Sequence, residues 1–308
     1  MHMDTEPSCV GIDWGTTHRR AYALDARGAC TATYADNEGA LACRGRFPAA
    51  LDTALQGLNT TPTRVLMSGM VGSALGWQEV PYLDASVPLD ALWKHLRPVN
   101  DAPGPYATLI VPGYCVRGPA GQPDVMRGEE TQLLGALTLG HHSGWFVLPG
   151  THSKWVELDA GRIVQLRTYM TGELFELLGR QGTLAAAAGT GAPVWDDAAF
   201  ADGVHAAGHG ALSHQLFGCR ARVVCGDMPA SSSKAYLSGL LIGSELHDVL
   251  HQSAPSATNS TFQLIGSVEL AKRYQAAASL LGLALEVIDA QAAFIGAMAQ
   301  LHARGKTL

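Results

Sequence analysis

Hydrophobic and polar positions along the chain fall into short blocks separated by glycine-rich turns. The first block, 9–12, is apolar and runs into Asp13, a Gly15-Thr16-Thr17 turn and a second apolar stretch. In that stretch Ala21, Ala23 and Asp25 alternate with Tyr22 and Leu24, so the pattern predicts a hairpin with its polar tip at 13–17. Residues 30–34 predict a third strand. Phe47, Leu51, Leu55 and Leu58 recur at helical spacing and predict a helix over 47–58. An apolar strand over 64–70 ends in a Ser68-Gly69 turn, followed by a loop over 77–84, a short helix over 90–96, a strand over 108–112 and a helix over 128–139 that begins in acidic residues.

The same sequence of elements then starts again. A strand over 145–148 leads into a Gly-Thr turn at 149–154, with strands over 155–158 and 162–167 to follow. Helices are predicted over 171–180, over 196–217 with interruptions at Gly203, Gly208 and Gly210, and over 234–251. A strand over 262–265 runs into Gly266-Ser267 and a helix over 268–281, then a strand over 285–288 and a final helix over 290–303. Strands alternating with helices in two similar halves predict an α/β chain with mixed sheets. The boundary is expected near 140–144, giving domains 1–142 and 143–308, with 185–193 as a flexible connection.

Composition narrows the picture. A chain of 308 residues with 47% apolar and 16% charged residues is globular and long enough for two cores. A net charge of −6 argues against a general nucleic-acid binder, which needs a basic face. No apolar run is long enough to cross a bilayer, and Asp4 and Glu6 next to the first strand do not suit a signal peptide. The six cysteines form no C-x-x-C pair and read as free thiols in a reducing cytoplasm.

Candidate chemistry gathers at the turns. A Gly15 tip lets backbone N–H groups approach an anion, Thr16 and Thr17 add hydroxyl donors, and Asp13 is placed to hold a hydrated Mg²⁺. Ser68 and Gly69 end a strand, where parallel sheets present ligand groups. Glu129 and Glu130 open a helix; adjacent helical residues point about 100° apart, so one of them faces the site. His205, His209 and His214 lack the Glu of a metalloprotease helix, and there is neither a P-loop nor a G-x-S-x-G elbow.

Two glycine-hydroxyl turns followed by a late strand–Gly-Ser–helix resemble the actin-like ATPase superfamily. Gly11-Ile12-Asp13-Trp14-Gly15-Thr16-Thr17 resembles its first phosphate motif, Gly150-Thr151-His152-Ser153-Lys154 stands in place of the second, and Leu264-Ile265-Gly266-Ser267 resembles its adenosine motif. A narrower resemblance, to the 2-keto-3-deoxygalactonokinase family, is carried by several strings. These are Leu148-Pro149-Gly150-Thr151-His152-Ser153-Lys154-Trp155 with Met170-Thr171-Gly172-Glu173-Leu174-Phe175, the run from Val125 to Gln132, and the run from Tyr236 to Leu246. Leu148-Pro149 stands where most of the superfamily has an Asp, so the metal depends more on Asp13.

The resemblance implies two ribonuclease H-like domains facing an interdomain cleft, with the last helix returning to the first. It implies ATP- and Mg²⁺-dependent phosphorylation of the C6 hydroxyl of 2-dehydro-3-deoxy-D-galactonate, whose product feeds an aldolase. ATP is then expected at Gly15, Thr16, Thr17, Gly150, Thr151, His152, Ser153, Lys154, Gly266 and Ser267. The Gly128-Glu129-Glu130 run resembles the catalytic segment of exopolyphosphatases, so Glu130 is the expected base or water and metal positioner, with Glu129 second. An anionic acceptor calls for donors, for which Arg19, Arg20, Arg127, Lys154, Ser68 and Gly69 are candidates, Lys154 equally for the transferring phosphoryl, with Trp14 and Trp155 as apolar walls. Competing readings are a kinase for the C4 epimer or another aldonate, an exopolyphosphatase-like hydrolase, and a non-catalytic nucleotide sensor. Partners are expected to be the sugar acid and ATP, with no nucleic acid or membrane; a homo-oligomer stays open.

Overall fold

The computed structural model describes residues 9–188, 195–252 and 261–305. The chain divides into two compact units. The first takes in the chain up to Ser143, Val156–Leu166 and the chain from Ile288 on; the second is Gly144–Trp155 with Arg167–Val287.

The first unit begins with β1 (Cys9–Trp14), β2 (Arg19–Leu24), β3 (Cys30–Asp36), α1 (Phe47–Gly57) and β4 (Arg64–Gly69). It continues with β5 (Leu83–Asp84), β6 (Arg97–Pro98), β7 (Ala107–Ile110), β8 (Tyr114–Arg117), β9 (Pro123–Met126) and α2 (Glu129–Thr138). The main sheet has the order β3-β2-β1-β4-β7-β6. β1, β2 and β3 pair antiparallel, whereas β4 and β7 extend the sheet parallel to β1. A second small sheet, β5-β8-β9, is absent from the sequence pattern, because its strands are only two to four residues long and Gly113, Gly118 and Pro119 flank β8.

Val10, Ile12, Trp14, Val65 and Met67 pack against Phe47, Leu51 and Leu55 of α1 to form one core. The other side of the sheet is covered by α9 (Ala290–Gly305), whose Phe294 ring lies 5.4 Å from that of Tyr22. The alternation over 21–25 is therefore not an inside–outside alternation: Ala21, Tyr22, Ala23 and Leu24 are all buried between helices. α9 reaches α2 by backbone contact, since a Cβ on Gly135 would stand 1.8 Å from the Ala293 carbonyl oxygen.

The second unit holds β10 (Gly144–Leu148), β11 (Ser153–Asp159), β12 (Arg162–Tyr169), α3 (Thr171–Arg180), α4 (Gly182–Ala188) and α5 (Asp197–Ala206). It ends with α6 (Leu212–Cys225), α7 (Ser233–Gln252), β13 (Phe262–Gly266), α8 (Val268–Leu280) and β14 (Leu285–Asp289); the unit division runs through β11, β12 and β14. Its sheet order, β12-β11-β10-β13-β14, repeats the third-second-first-fourth order at the start of the first unit's sheet, and β10 and β13 are parallel. Val147, Trp155, Phe262 and Leu264 pack against Leu237, Leu240 and Leu241 of α7.

Gly203 does not interrupt α5. It lets α5 cross α7 closely, because a Cβ there would stand 2.2 Å from the Tyr236 carbonyl oxygen. The break falls instead at a 3₁₀ turn over Ala207–His209, before Gly210 at φ 129°. Residues 185–188 of the expected connection end α4, and 189–193 lie outside the described residues.

Candidate functional site

In the first unit the site grows from the ends of two neighbouring parallel strands. Asp13 of β1 is in register with Ser68 of β4, and Trp14 with Gly69. Neighbours in register point to the same face of a sheet, so Asp13 and Ser68 rise together. Gly69 leaves β4 at φ 95°, where a Cβ would stand 2.8 Å from the Trp14 carbonyl oxygen. Gly128, at φ 109°, comes so close that its Cβ would lie 3.3 Å from Gly69 Cα. Only paired glycines allow this approach, and it seats the first turn of α2 on the end of β4.

That seat fixes Glu130. Its side chain is fully buried. Oε2 accepts from the Gly128 N–H at 2.7 Å, and Oε1 accepts from Ser68 Oγ and Thr131 Oγ1, both at 3.3 Å. Burial, reinforced by the charge of Glu129, pushes the Glu130 carboxyl up to about 8; backbone N–H groups and Arg127 offset this only in part. Glu129 turns the other way and accepts from the Arg127 N–H at 2.9 Å. Tyr114, on β8, is also fully buried, and its hydroxyl has no hydrogen-bond partner among the described residues. Burial and then the charge of Glu130 raise that phenol.

Strand alternation sorts the other first-unit candidates into two groups. Asp13 is opposite Arg20, and Trp14 is opposite Arg19. Asp13 lies 3.6 Å from Arg20 with 31% of its side chain exposed; burial raises its carboxyl and Arg20 partly counters this. Thr16 and Thr17 are exposed, while the Gly15 and Thr16 carbonyls accept from the N–H groups of Ala40 and Leu41, which anchor the tip. On the opposite face Arg19 is fully buried, ion-paired to Asp36, donating to the Ala50 carbonyl at 2.6 Å and stacked over Trp14. Trp14 is buried too, and its Nε1 donates to the Glu38 carbonyl. Arg19 and Trp14 thus tie α1 to the sheet instead of lining a ligand site. Arg127 is held by the Val80 carbonyl at 2.7 Å and by the Tyr82 ring, with Nε and Nη1 unpartnered.

In the second unit the turn after β10 leaves Gly150, Thr151 and His152 exposed. α3 braces it: the Glu173 N–H donates to the Thr151 carbonyl at 2.9 Å, and the Glu173 carboxylate meets His152 Nε2 at 2.6 Å. The expected turn residues Ser153 and Lys154 belong to β11 and are buried, with Lys154 Nζ donating to Thr168 Oγ1. Trp155 is core and donates through Nε1 to Glu245 at 2.9 Å, so it forms no ligand wall. Gly266 reaches the same turn, since a Cβ there would stand 3.0 Å from Pro149 Cγ, and Ser267 caps α8 by accepting from the Leu270 N–H. Between these pieces lies a cavity of about 50 Å³ lined by Gly150, Thr171, Gly172, Leu270, Arg273 and Tyr274. Thr131, Thr171, Glu245 and Tyr274 escaped sequence reasoning.

Among the described residues no three His, Cys, Asp or Glu side chains are placed to hold a metal, His205 and His209 included. All six cysteines are free. No described helix is long and apolar enough to cross a membrane.

A family model described as 2-keto-3-deoxy-galactonokinase matches residues 13–301. The 2-dehydro-3-deoxygalactonokinase of Escherichia coli (strain K12) is 36% identical over 293 residues, covering 92% of this chain and 94% of that protein. A crystal structure of a Sinorhizobium meliloti protein assigned as 2-dehydro-3-deoxygalactonokinase superimposes with a TM-score of 0.86 at 32% identity, covering 96% of this chain and 98% of that one. A more distant structure shares the fold alone, at a TM-score of 0.52 and 11% identity over 97% of this chain and 96% of that one. It is the activator of the 2-hydroxyisocaproyl-CoA dehydratase from Clostridium difficile with bound ADPNP. The chain belongs to the 2-keto-3-deoxy-galactonokinase family, kinases with an α/β fold, here in two compact units.

Proposed function

We propose that the protein transfers the γ-phosphoryl group of ATP to the C6 hydroxyl of 2-dehydro-3-deoxy-D-galactonate, releasing ADP and the 6-phosphate. The observation that carries this reading is Glu130, a carboxyl enclosed at the carboxyl ends of β1 and β4, one strand from Asp13 and raised to about 8. Such a group is basic enough to take a proton from an alcohol near neutral pH. As the C6 oxygen bonds to the γ-phosphorus, its proton passes to a Glu130 oxygen, and the bond to the β–γ bridging oxygen breaks. Ser68 and Thr131 hold that carboxylate in place. Glu129 contributes by raising the basicity of its neighbour.

Phosphoryl transfer depends mainly on positioning and charge neutralisation. The exposed Thr16 and Thr17 hydroxyls and the Gly15 tip suit phosphate oxygens, as do the exposed Gly150, Thr151 and His152. Gly266, packed against Pro149 at the rim of the small cavity, suits contact with the adenosine end. Arg20 and Arg127 are the cations left for the acceptor's carboxylate, because Arg19 is committed to Asp36. A single strand-end carboxylate, Asp13, without a cage of protein ligands fits Mg²⁺, which keeps waters and takes phosphate oxygens. Bound there, Mg²⁺ would neutralise charge on the β- and γ-phosphates. Six free cysteines fit a reducing cytoplasm.

A coupled ADP-release assay over a panel of 2-keto-3-deoxy and other aldonates tests the proposal. Turnover should be fastest with the galactonate derivative, and NMR of the product should show phosphorus coupled to C6. Preference for the C4 epimer, phosphate at another carbon, or ADP release independent of acceptor would overturn it.

A further inference from the structure

One buried acid in the second unit is not used by the chemistry above. Glu245, in the middle of α7, is 1% exposed and lies among Leu241, Ile242, Leu246 and Val249 on the apolar face of its helix. An isolated carboxylate there would be strongly destabilising unless hydrogen-bonded. It is surrounded by neutral donors. Oε2 accepts from Ser153 Oγ and Trp155 Nε1, both at 2.9 Å. Oε1 accepts from the Tyr274 hydroxyl at 2.8 Å, and the Thr171 hydroxyl also bonds to the carboxylate. The Tyr274 oxygen also lies 3.2 Å from Ser153 Oγ.

Four donors fill the roughly four acceptor sites of an ionised carboxylate. They come from the start of β11, the start of α3 and one wall of one cavity. Ser153 and Trp155 follow the exposed Gly150-Thr151-His152 turn; Thr171 opens α3, the helix that braces that turn; Tyr274 on α8 lines the cavity beside it. An apolar side chain could fill the same volume, but it would leave a buried indole N–H and three hydroxyls without an acceptor. What the acid adds is a fixed relation between the turn, the start of α3 and the cavity wall.

We propose that Glu245 is a positioning residue for the nucleotide: its hydrogen-bonded carboxyl group fixes the Gly150–Ser153 turn and the cavity wall in the geometry that receives ATP. The assignment rests on the reading of this turn and cavity as the ATP site. Burial raises the Glu245 carboxyl, and the hydrogen bonds from Thr171, Trp155, Tyr274 and Ser153 oppose that rise in part. Loss of one donor weakens the set, and replacement by an amide reverses part of it, since the NH₂ group would face donors.

The test is calorimetric titration of ADP with Mg²⁺ into wild-type protein, Glu245→Gln and Tyr274→Phe, together with steady-state kinetics. Expected are a rise of about tenfold or more in the ADP Kd and the ATP KM for Glu245→Gln, and a smaller rise for Tyr274→Phe. The acceptor KM should stay unchanged, and the double variant should lose less than the sum of the two. Should Glu245→Gln fail to fold, Ser153→Ala and Tyr274→Phe carry the same split between the two KM values. ADP affinity equal to wild type in folded variants, or equal rises in both KM values, would overturn the assignment. A wild-type protein that bound ADP but phosphorylated no sugar acid would defeat the substrate proposal and leave Glu245 in this role.

Discussion

Glu130 is the residue on which the chemistry turns, and its burial has two measurable consequences. Glu130→Gln removes the proton acceptor without changing shape, and kcat should fall by about 10²- to 10⁴-fold with little change in either KM. Because the carboxyl is raised to about 8, a base there is ionised only as pH rises, so kcat/KM should climb through about pH 8 in wild type. Stability should move the opposite way. The folded value lies above the ordinary 4.5, so the contribution of this group is complete below pH 4.5 and is lost as pH rises through about 8. Urea unfolding across that range should show the slope in wild type and a flatter one in Glu130→Gln. A second contrast separates two arginines that look equivalent in the sequence. Arg19→Met should cost about 3 kcal/mol in unfolding by stranding Asp36, with the acceptor KM unmoved. Arg127→Met should raise the acceptor KM about tenfold with little loss of stability. The sequence reading grouped Arg19 with Arg20 because charge beside a phosphate-type turn invites that reading. What separates them is strand parity, which sends residues 14 and 19 into the core and residues 13 and 20 to the opposite face of the sheet. Glu245 was missed for a related reason: an acid within a helix reads as solvent-facing. Its position four residues from both Leu241 and Val249 could have marked it as buried.

Elements were legible wherever periodicity was long. The helix predicted over 47–58 is α1, and the strand predicted over 64–70 is β4, because each carries a continuous apolar pattern set by a single core. The small β5-β8-β9 sheet was illegible because pairing, not composition, holds strands of two to four residues together. The placement of α2 likewise depends on backbone approaches that no hydropathy pattern records: Gly128 on Gly69, and Gly135 on Ala293. This makes a prediction for the element as a whole. Gly135→Ala adds a methyl group 1.8 Å from the Ala293 carbonyl and should lower stability by about 1–3 kcal/mol, read as a shift in the urea midpoint. Gly218→Ala, where the added carbon meets nothing nearer than 3.7 Å inside α6, should be neutral or slightly stabilising.

For the molecule, the repeated sheet order means that each unit offers its own strand ends and its own glycine-hydroxyl turn. Ligands should therefore protect different stretches of the chain. In hydrogen exchange, ADP with Mg²⁺ should slow amides around 149–153, 171–175 and 266–274, whereas the sugar acid should slow those around 68–69 and 127–131. The same pattern for both ligands would count against this division of labour. The route of the chain carries one more consequence. α9 closes the sheet of the first unit, with Arg64 bonding to the Gly305 carbonyl at 3.0 Å and Gly11 pressed against Met298. A ribosome must therefore pass residue 305 before Gly11 and Tyr22 lose their last contact with water. The unit translated in between can be complete while its predecessor still waits, so a nascent chain stalled short of α9 would present a half-covered sheet to chaperones.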